Sequence, residues 1–217
     1  MNKKLNKAYF IVALVGIILA FANAFLVPVQ ILFEAEIPSD ISSWANVAII
    51  AVLLATIIMS IFSVKGVIGK VAQICMGTGF LAVFVYTLLN NLKVDTDVWA
   101  LIMLYVFACM LIIGAILWIV TLFIKKFKNE AKAPYFFAFE MLVLGLTLLL
   151  TITGLMPNFL YSLYYTFAVR LLIGLITNYY HALEIKHTDS KKPLFWFAVL
   201  LFIALSFPMA IAYSIII

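Results

Sequence analysis

Charge is scarce in this chain: Asp, Glu, Lys and Arg make up 11% of its 217 residues, where a soluble domain carries roughly 25%. With 67% of the residues apolar, too little polar surface remains to cover a water-soluble globule. Histidine is limited to two residues, His181 and His187. That excludes a histidine-rich metal centre drawn from several segments, and no metal ligand is assigned. The two cysteines, Cys75 and Cys109, both fall inside apolar stretches. They form neither a disulfide framework nor a CxxC site, and free cysteines of this kind are expected to be packing residues. A basic stripe with interleaved aromatics is also missing, so the net charge of +5 does not point to nucleic acid. HExxH and a nucleophile elbow are absent, and the glycines Gly66, Gly69, Gly77 and Gly79 lack the strand before them and the Gly-Lys-Ser/Thr ending that a phosphate loop needs. No catalytic or cofactor-binding residue is assigned, and a non-enzymatic protein is expected.

What the chain has is length of apolar run. Seven stretches stand out: 8–33, 45–62, 67–92, 98–124, 134–156, 159–180 and 193–217. At about 1.5 Å per helical residue, each is of the order needed to cross a hydrocarbon layer of about 30 Å. Runs this uniform satisfy their backbone as helices. The expected fold is therefore all-α: one polytopic transmembrane bundle of seven spans occupying residues 1–217. The connections are short, and Met156-Pro157-Asn158 makes the fifth and sixth helices antiparallel neighbours. Pro134 and Pro193 stand where a first helical turn accepts proline. Asp97 is placed to cap the fourth helix, and Ser42 or Ser43 the second.

Lysine sets the expected orientation. Twelve lysines fall before the first run or in the connections after the second, fourth and sixth: Lys3, Lys4, Lys7, Lys65, Lys70, Lys125, Lys126, Lys128, Lys132, Lys186, Lys191 and Lys192. The alternate connections hold Lys93 together with Glu34, Glu36, Asp40, Asp95 and Asp97. The positive-inside rule then puts the N-terminus in the cytoplasm and the C-terminus outside, in the cell membrane. Trp44 and Trp99 fit an outer interfacial belt and Trp196 an inner one. Lys3-Lys4, the following apolar run and Ala22-Asn23-Ala24 also read as a cleavable signal peptide, but the run continues to Phe33, which favours an uncleaved span.

Ionisable side chains within such spans are costly and need partners. Arg170 lies near the middle of the sixth run. Counted from the turn at Pro157, Arg170 lies about 20 Å down the sixth helix and Glu140 about 25 Å down the fifth. The offset is within the reach of an arginine, so Glu140 and Arg170 form a candidate intramembrane pair. Ser162, Thr166, Thr177 and His181 recur with Arg170 at helical spacing, as do Thr147 and Thr151 with Glu140. Asn23 on the first helix and Gln73 on the third begin similar stripes. Such small and polar faces are expected at helix–helix contacts. The fourth helix is the least polar and is expected to face lipid. His181 and Glu184 form an HxxE pair, but di-iron bundles that use one draw further carboxylates from other helices. Glu140 is about 10 Å too shallow to serve, so these residues are expected to be solvated at the helix end.

Seven spans, an inside N-terminus and this length resemble the hemolysin III-like membrane hydrolases. Those use histidines from several helices, whereas both histidines here lie on one helix end, so the resemblance stops at topology. Microbial rhodopsins carry a lysine inside the last helix, where this chain has only Lys191 and Lys192 at its entrance. The expected partners are the lipid bilayer and either another membrane protein or a second copy of the chain. An accessory membrane subunit is the first functional expectation. A small permease or channel using Glu140 and Arg170 is the second.

Overall fold

A computed structural model of the chain describes residues 3–33, 39–64, 66–95, 97–124, 131–155, 159–186 and Phe197. The side chains of 3–4, 24–33, 39–40, Ser42, 97–98 and 159–169 lie outside the description. The described residues are all-helical. They form α1 (Lys3–Phe33), α2 (Ser39–Ile61), α3 (Val67–Asn91), α4 (Asp97–Phe123), α5 (Ala133–Ile152) and α6 (Phe159–Lys186). Five of the six contain a segment long and apolar enough to cross a membrane: Leu5–Asn23, Ser43–Ile61, Val67–Asn91, Trp99–Phe123 and Ala133–Ile152. Several apolar helices of this length are consistent with a membrane protein. Of the expected seventh span, 193–217, only Phe197 is described.

The helices follow the apolar runs, with differences at their ends. α2 begins at Ser39, so Ser42 and Ser43 lie within its first turns rather than at its cap. α5 starts with Pro134 in its first turn, where the missing N–H costs no bond. It ends near Gly154, whose φ of +73° is the left-handed conformation that glycine adopts without strain. α6 runs on to Lys186, and so includes residues 181–186 that the hydropathy pattern leaves outside the span. Met156-Pro157-Asn158 falls outside the described residues, yet α5 and α6 pack side by side.

Neighbours in sequence are neighbours in space. α1 packs on α2, α2 on α3, α3 on α4, α4 on α5 and α5 on α6, and α6 closes the ring against α1. A further contact joins α2 to α6 across the ring. Glycines permit the close approaches. A Cβ on Gly16 of α1 would meet Leu175 of α6 at 2.6 Å and Val52 of α2 at 2.7 Å. A Cβ on Gly174 of α6 would touch Phe137 of α5 at 3.4 Å and Leu53 of α2 at 3.5 Å. α3 and α4 come close enough that Gly114 would place a Cβ 2.8 Å from the Ala72 carbonyl oxygen. The same holds for α4 and α5, where Gly145 faces the Ala108 carbonyl at 2.9 Å.

The buried core runs through all six helices, with Ile50, Leu53 and Ile57 of α2, Met76 and Phe80 of α3, Leu111 and Trp118 of α4, Met141 of α5 and Leu175 of α6 among its members. The outward faces are apolar too: Ile11, Val15 and Ile18 on α1 and Trp99, Leu101 and Ile113 on α4 are exposed. α4 keeps much of its span outward, in line with its low polarity, while its inner face is packed. Phe107, Ala108, Leu111, Ala115 and Trp118 of α4 are buried, because a helix between two neighbours needs small and shape-matched residues rather than polar ones. Cys75 is half-buried and Cys109 is exposed, so Cys109 is not the packing residue its setting suggested. Trp44 and Trp99 are exposed near one end of the bundle.

Alanine at Gly114 must push against the Ala72 backbone. Gly114→Ala is expected to lower stability by about 1–3 kcal/mol. Gly77→Ala, whose Cβ would meet only Ile57 at an ordinary 3.5 Å, leaves it unchanged or slightly raised. Thermal unfolding of both variants in one mild detergent checks this.

Candidate functional site

Each helix brings buried polar groups to the ring, and most of them bond locally. Thr147 donates to the Val143 carbonyl at 2.6 Å, Thr151 to Thr147 at 2.9 Å and Thr177 to Ile173 at 2.7 Å. These hydroxyls are satisfied by the carbonyl one turn back on their own helix. Thr56 and Ser60 of α2 do the same with Leu53 and Ile57. Of the expected polar face, then, Thr147, Thr151 and Thr177 are not joined to other helices by these bonds. Ser162 and Thr166 lie outside the described side chains. Asn23 does reach across: its amide donates to Asn46 Oδ1 of α2 at 2.9 Å. Gln73 is buried on α3.

Glu140 and Arg170 meet. Arg170 Nη1 donates to Glu140 Oε1 at 3.0 Å. The ion pair bridges α5 and α6 within the apolar length of both. A charge-assisted bond of this kind is roughly twice as strong as a neutral one. Each side chain keeps 19% of its surface exposed, so the pair is neither sealed in the core nor free in solvent. Arg170 Nε is buried and has no partner among the described residues.

A second polar cluster joins α1 to α6. The Tyr9 hydroxyl donates to Asn178 Oδ1 at 3.0 Å and lies 3.3 Å from His181 Nδ1. Since the hydroxyl proton goes to Asn178, His181 completes the set by donating from Nδ1 to the tyrosine oxygen. Asn178 in turn donates to the Gly174 carbonyl at 3.0 Å. His181 is only 3% exposed, which corrects the expectation of a solvated helix end. The helix continues past it and α1 covers it. Tyr9 and Asn178 carry no motif, and their partners are 169 and 172 residues away. Their one signal in the sequence is a tyrosine and an asparagine inside otherwise apolar helices.

Glu184 is likewise not a solvated residue without a role. Its carboxylate accepts the backbone N–H of Lys132 at 3.0 Å with both oxygens, and that of Ala133 at 3.0 Å. Lys132 is the N-cap of α5 and offers no side-chain cap of its own. The negative charge of α6 therefore satisfies the orphan donors at the positive end of α5. Tyr180, one turn before Glu184, stacks on Phe197 with ring centroids 4.7 Å apart. His187 lies outside the described residues. Among the described residues no group of three or more His, Cys, Asp or Glu side chains is placed to hold a metal.

Among the described residues two kinds of arrangement are thus present: neutral networks and caps that fix helix ends, and one partly exposed ion pair deeper in the bundle. Comparison of the chain with protein-family models, with known proteins and with solved structures finds no match.

Glu140→Gln and Arg170→Gln each remove one partner and leave the other charge without its ion pair. Each is expected to cost about 1.5–3 kcal/mol. The swapped double variant Glu140→Arg/Arg170→Glu recovers most of that loss if the pair acts as a structural clamp. Unfolding of the three variants in one detergent, set against the unaltered chain, provides the measurement.

Proposed function

We propose that this chain is an integral protein of the cell membrane with seven spans, N-terminus in the cytoplasm and C-terminus outside, and that it is a non-enzymatic accessory subunit acting through a membrane-embedded partner. The alternation of lysine-rich and acidic connections supports the orientation. The end of the bundle bearing Lys7, Lys70, Lys132 and Lys186 is then cytoplasmic, and the end bearing Trp44, Lys93 and Trp99 is external.

The observation that carries the accessory reading is how the polar groups are used. Asn23 with Asn46, Tyr9 with Asn178 and His181, and Glu184 with the start of α5 all serve to hold one helix to another. Side chains committed to such locks make a rigid bundle with apolar outer walls. That suits a protein that offers shape and surface within the bilayer. A second reading, a small permease or channel, is favoured by one feature: the Glu140–Arg170 pair is a fifth exposed at mid-helix and leaves Arg170 Nε without a described partner. Intramembrane ionisable groups of this kind mark substrate and ion paths in transporters. A charge-swapped pair that restores folding but not the cell's phenotype would turn the choice towards a path.

Two measurements test the proposal. An impermeant thiol reagent added to intact cells should label Lys93→Cys and spare Lys128→Cys and Lys191→Cys, in a background without the native cysteines. Labelling of the latter two would reverse the topology. Crosslinking in native membranes followed by mass spectrometry should recover a defined membrane protein or a second copy of the chain. Recovery of the solitary chain with several crosslinkers would sink the accessory reading.

A further inference from the structure

Tyr9, Asn178 and His181 join α1 to α6 at the lysine-bearing end of the bundle, and they do so without a charge. Tyr9 is fully buried and His181 nearly so. The two rings meet edge-on with centroids 5.9 Å apart. With Nδ1–H donating to the tyrosine oxygen, a second proton on His181 can go only to Nε2, and no acceptor for it stands among the described residues. Nothing nearby compensates a positive charge. The one carboxylate of α6, Glu184, is committed to the N–H groups of Lys132 and Ala133. Lys186 lies over the Phe10 ring at 5.5 Å, and Tyr179 and Tyr180 are neutral phenols. α1 has no carboxylate and adds the exposed Lys7. α5 adds Lys132 and the phenol of Tyr135, and its Glu140 is paired with Arg170. Asp40, the single charged residue of α2, is at that helix's far end. His181 also lies ahead of the last turn of α6, where the negative helix end has little hold on a cation. Burial accordingly pushes the His181 imidazole down from 6.5 to about 4.

We propose that the first turns of α1 are an acid-released latch, held on α6 while His181 is neutral and let go when it takes up a proton. α1 is the helix that covers His181, so lifting those turns is the shortest way to bring an imidazolium to water. The contacts given up are Tyr9 with Asn178 and His181, the Phe10 and Tyr179 rings 5.0 Å apart, and Lys186 over Phe10. Farther along, α1 is gripped from two sides at Gly16, where Leu175 and Val52 approach, so release is confined to the turns before it. The released form, whose histidine titrates near its ordinary 6.5, binds the proton more tightly than the latched form. Latching is therefore complete above that value, weakens as pH falls from 6.5 to about 4, and changes no further below. The latch draws on neither Glu140 nor Arg170, so it holds for both functional readings above.

Hydrogen exchange of the whole chain in lipid nanodiscs, read by mass spectrometry and corrected for the intrinsic effect of pH, tests it. A few helical turns without tertiary cover are not stable in water, so release shows as exchange of their amides. Between pH 7.5 and pH 5, protection of the amides from Tyr9 to Ala13 should fall about thirtyfold, the factor set by the two titration points. Protection around Phe80 of α3 and Leu111 of α4 should hold. His181→Asn, or His181→Gln where the first does not fold, removes the fall. His187→Asn, which alters the other histidine of the chain, leaves it in place. Protection of α1 that does not change with pH in the unaltered chain would overturn the proposal, as would the same fall in a folded His181 variant. A parallel loss of protection in α3 and α4 would overturn it too, because the opening would then be global.

Discussion

Inside an apolar bundle, a polar side chain has no solvent to fall back on, and this constraint decides where the helices sit. Leaving a buried donor or acceptor unpaired costs about 1–3 kcal/mol, more for a charge. A helix that carries one must turn it towards its own backbone or towards a neighbour. α1 turns Tyr9 to α6 and Asn23 to α2. α6 turns Arg170 and Glu184 to α5. These choices fix the rotation of α1, α2, α5 and α6 about their axes, and with it which apolar residues face out. Where outward faces meet hydrocarbon, apolar burial between helices yields little, and packing and hydrogen bonds hold the bundle.

The other side of the ring is built differently. α3, α4 and α5 approach one another through glycines that bring backbone against backbone: Gly79 to the Phe107 carbonyl, Gly114 to that of Ala72 and Gly145 to that of Ala108. α3 to α4 is the most extensive contact in the fold, and α4 to α5 the next. Thr121 contributes a long 3.3 Å bond to Tyr135 between α4 and α5, and Trp118 stands edge-on to the same Tyr135 ring. Close packing of this kind tolerates little change in side-chain volume. The polar side of the ring depends instead on keeping its hydrogen-bond partners.

The first five helices were legible in the sequence because hydropathy marks them: α1 to α5 follow the expected runs to within a few residues except where α1 and α2 start earlier. The Glu140–Arg170 contact was legible for a geometric reason: a short turn fixes the register of an antiparallel pair, and helical rise then converts residue number into depth. The same arithmetic fails for Tyr9 and His181, whose helices are joined only through the rest of the chain. No count from a turn gives their relative depth. The polar stripes were misleading in another way. Threonine in a helix satisfies its own hydroxyl, so Thr147, Thr151 and Thr177 look like contact residues in sequence and bond within their helices in space. Glu184 was missed because its partner is a backbone amide, and backbone has no signature in sequence. The low polarity of α4 was read as an outward face, and its span, like that of α1, is among the most exposed; its inner face is held by fit on two sides.

These two modes of attachment bear on where the bundle can yield. α5 and α6 are pinned at two depths, by Glu140–Arg170 and by Glu184 at the start of α5, with the Phe137–Gly174 contact between them. α3, α4 and α5 are locked by backbone contact. The α2–α6 contact across the ring differs from both. It rests on Leu53 against Gly174, and no side-chain hydrogen bond joins the two helices among the described residues. α2 is thus held to α6 by fit, and through α1, which is bonded to α6 by Tyr9 and to α2 by Asn23.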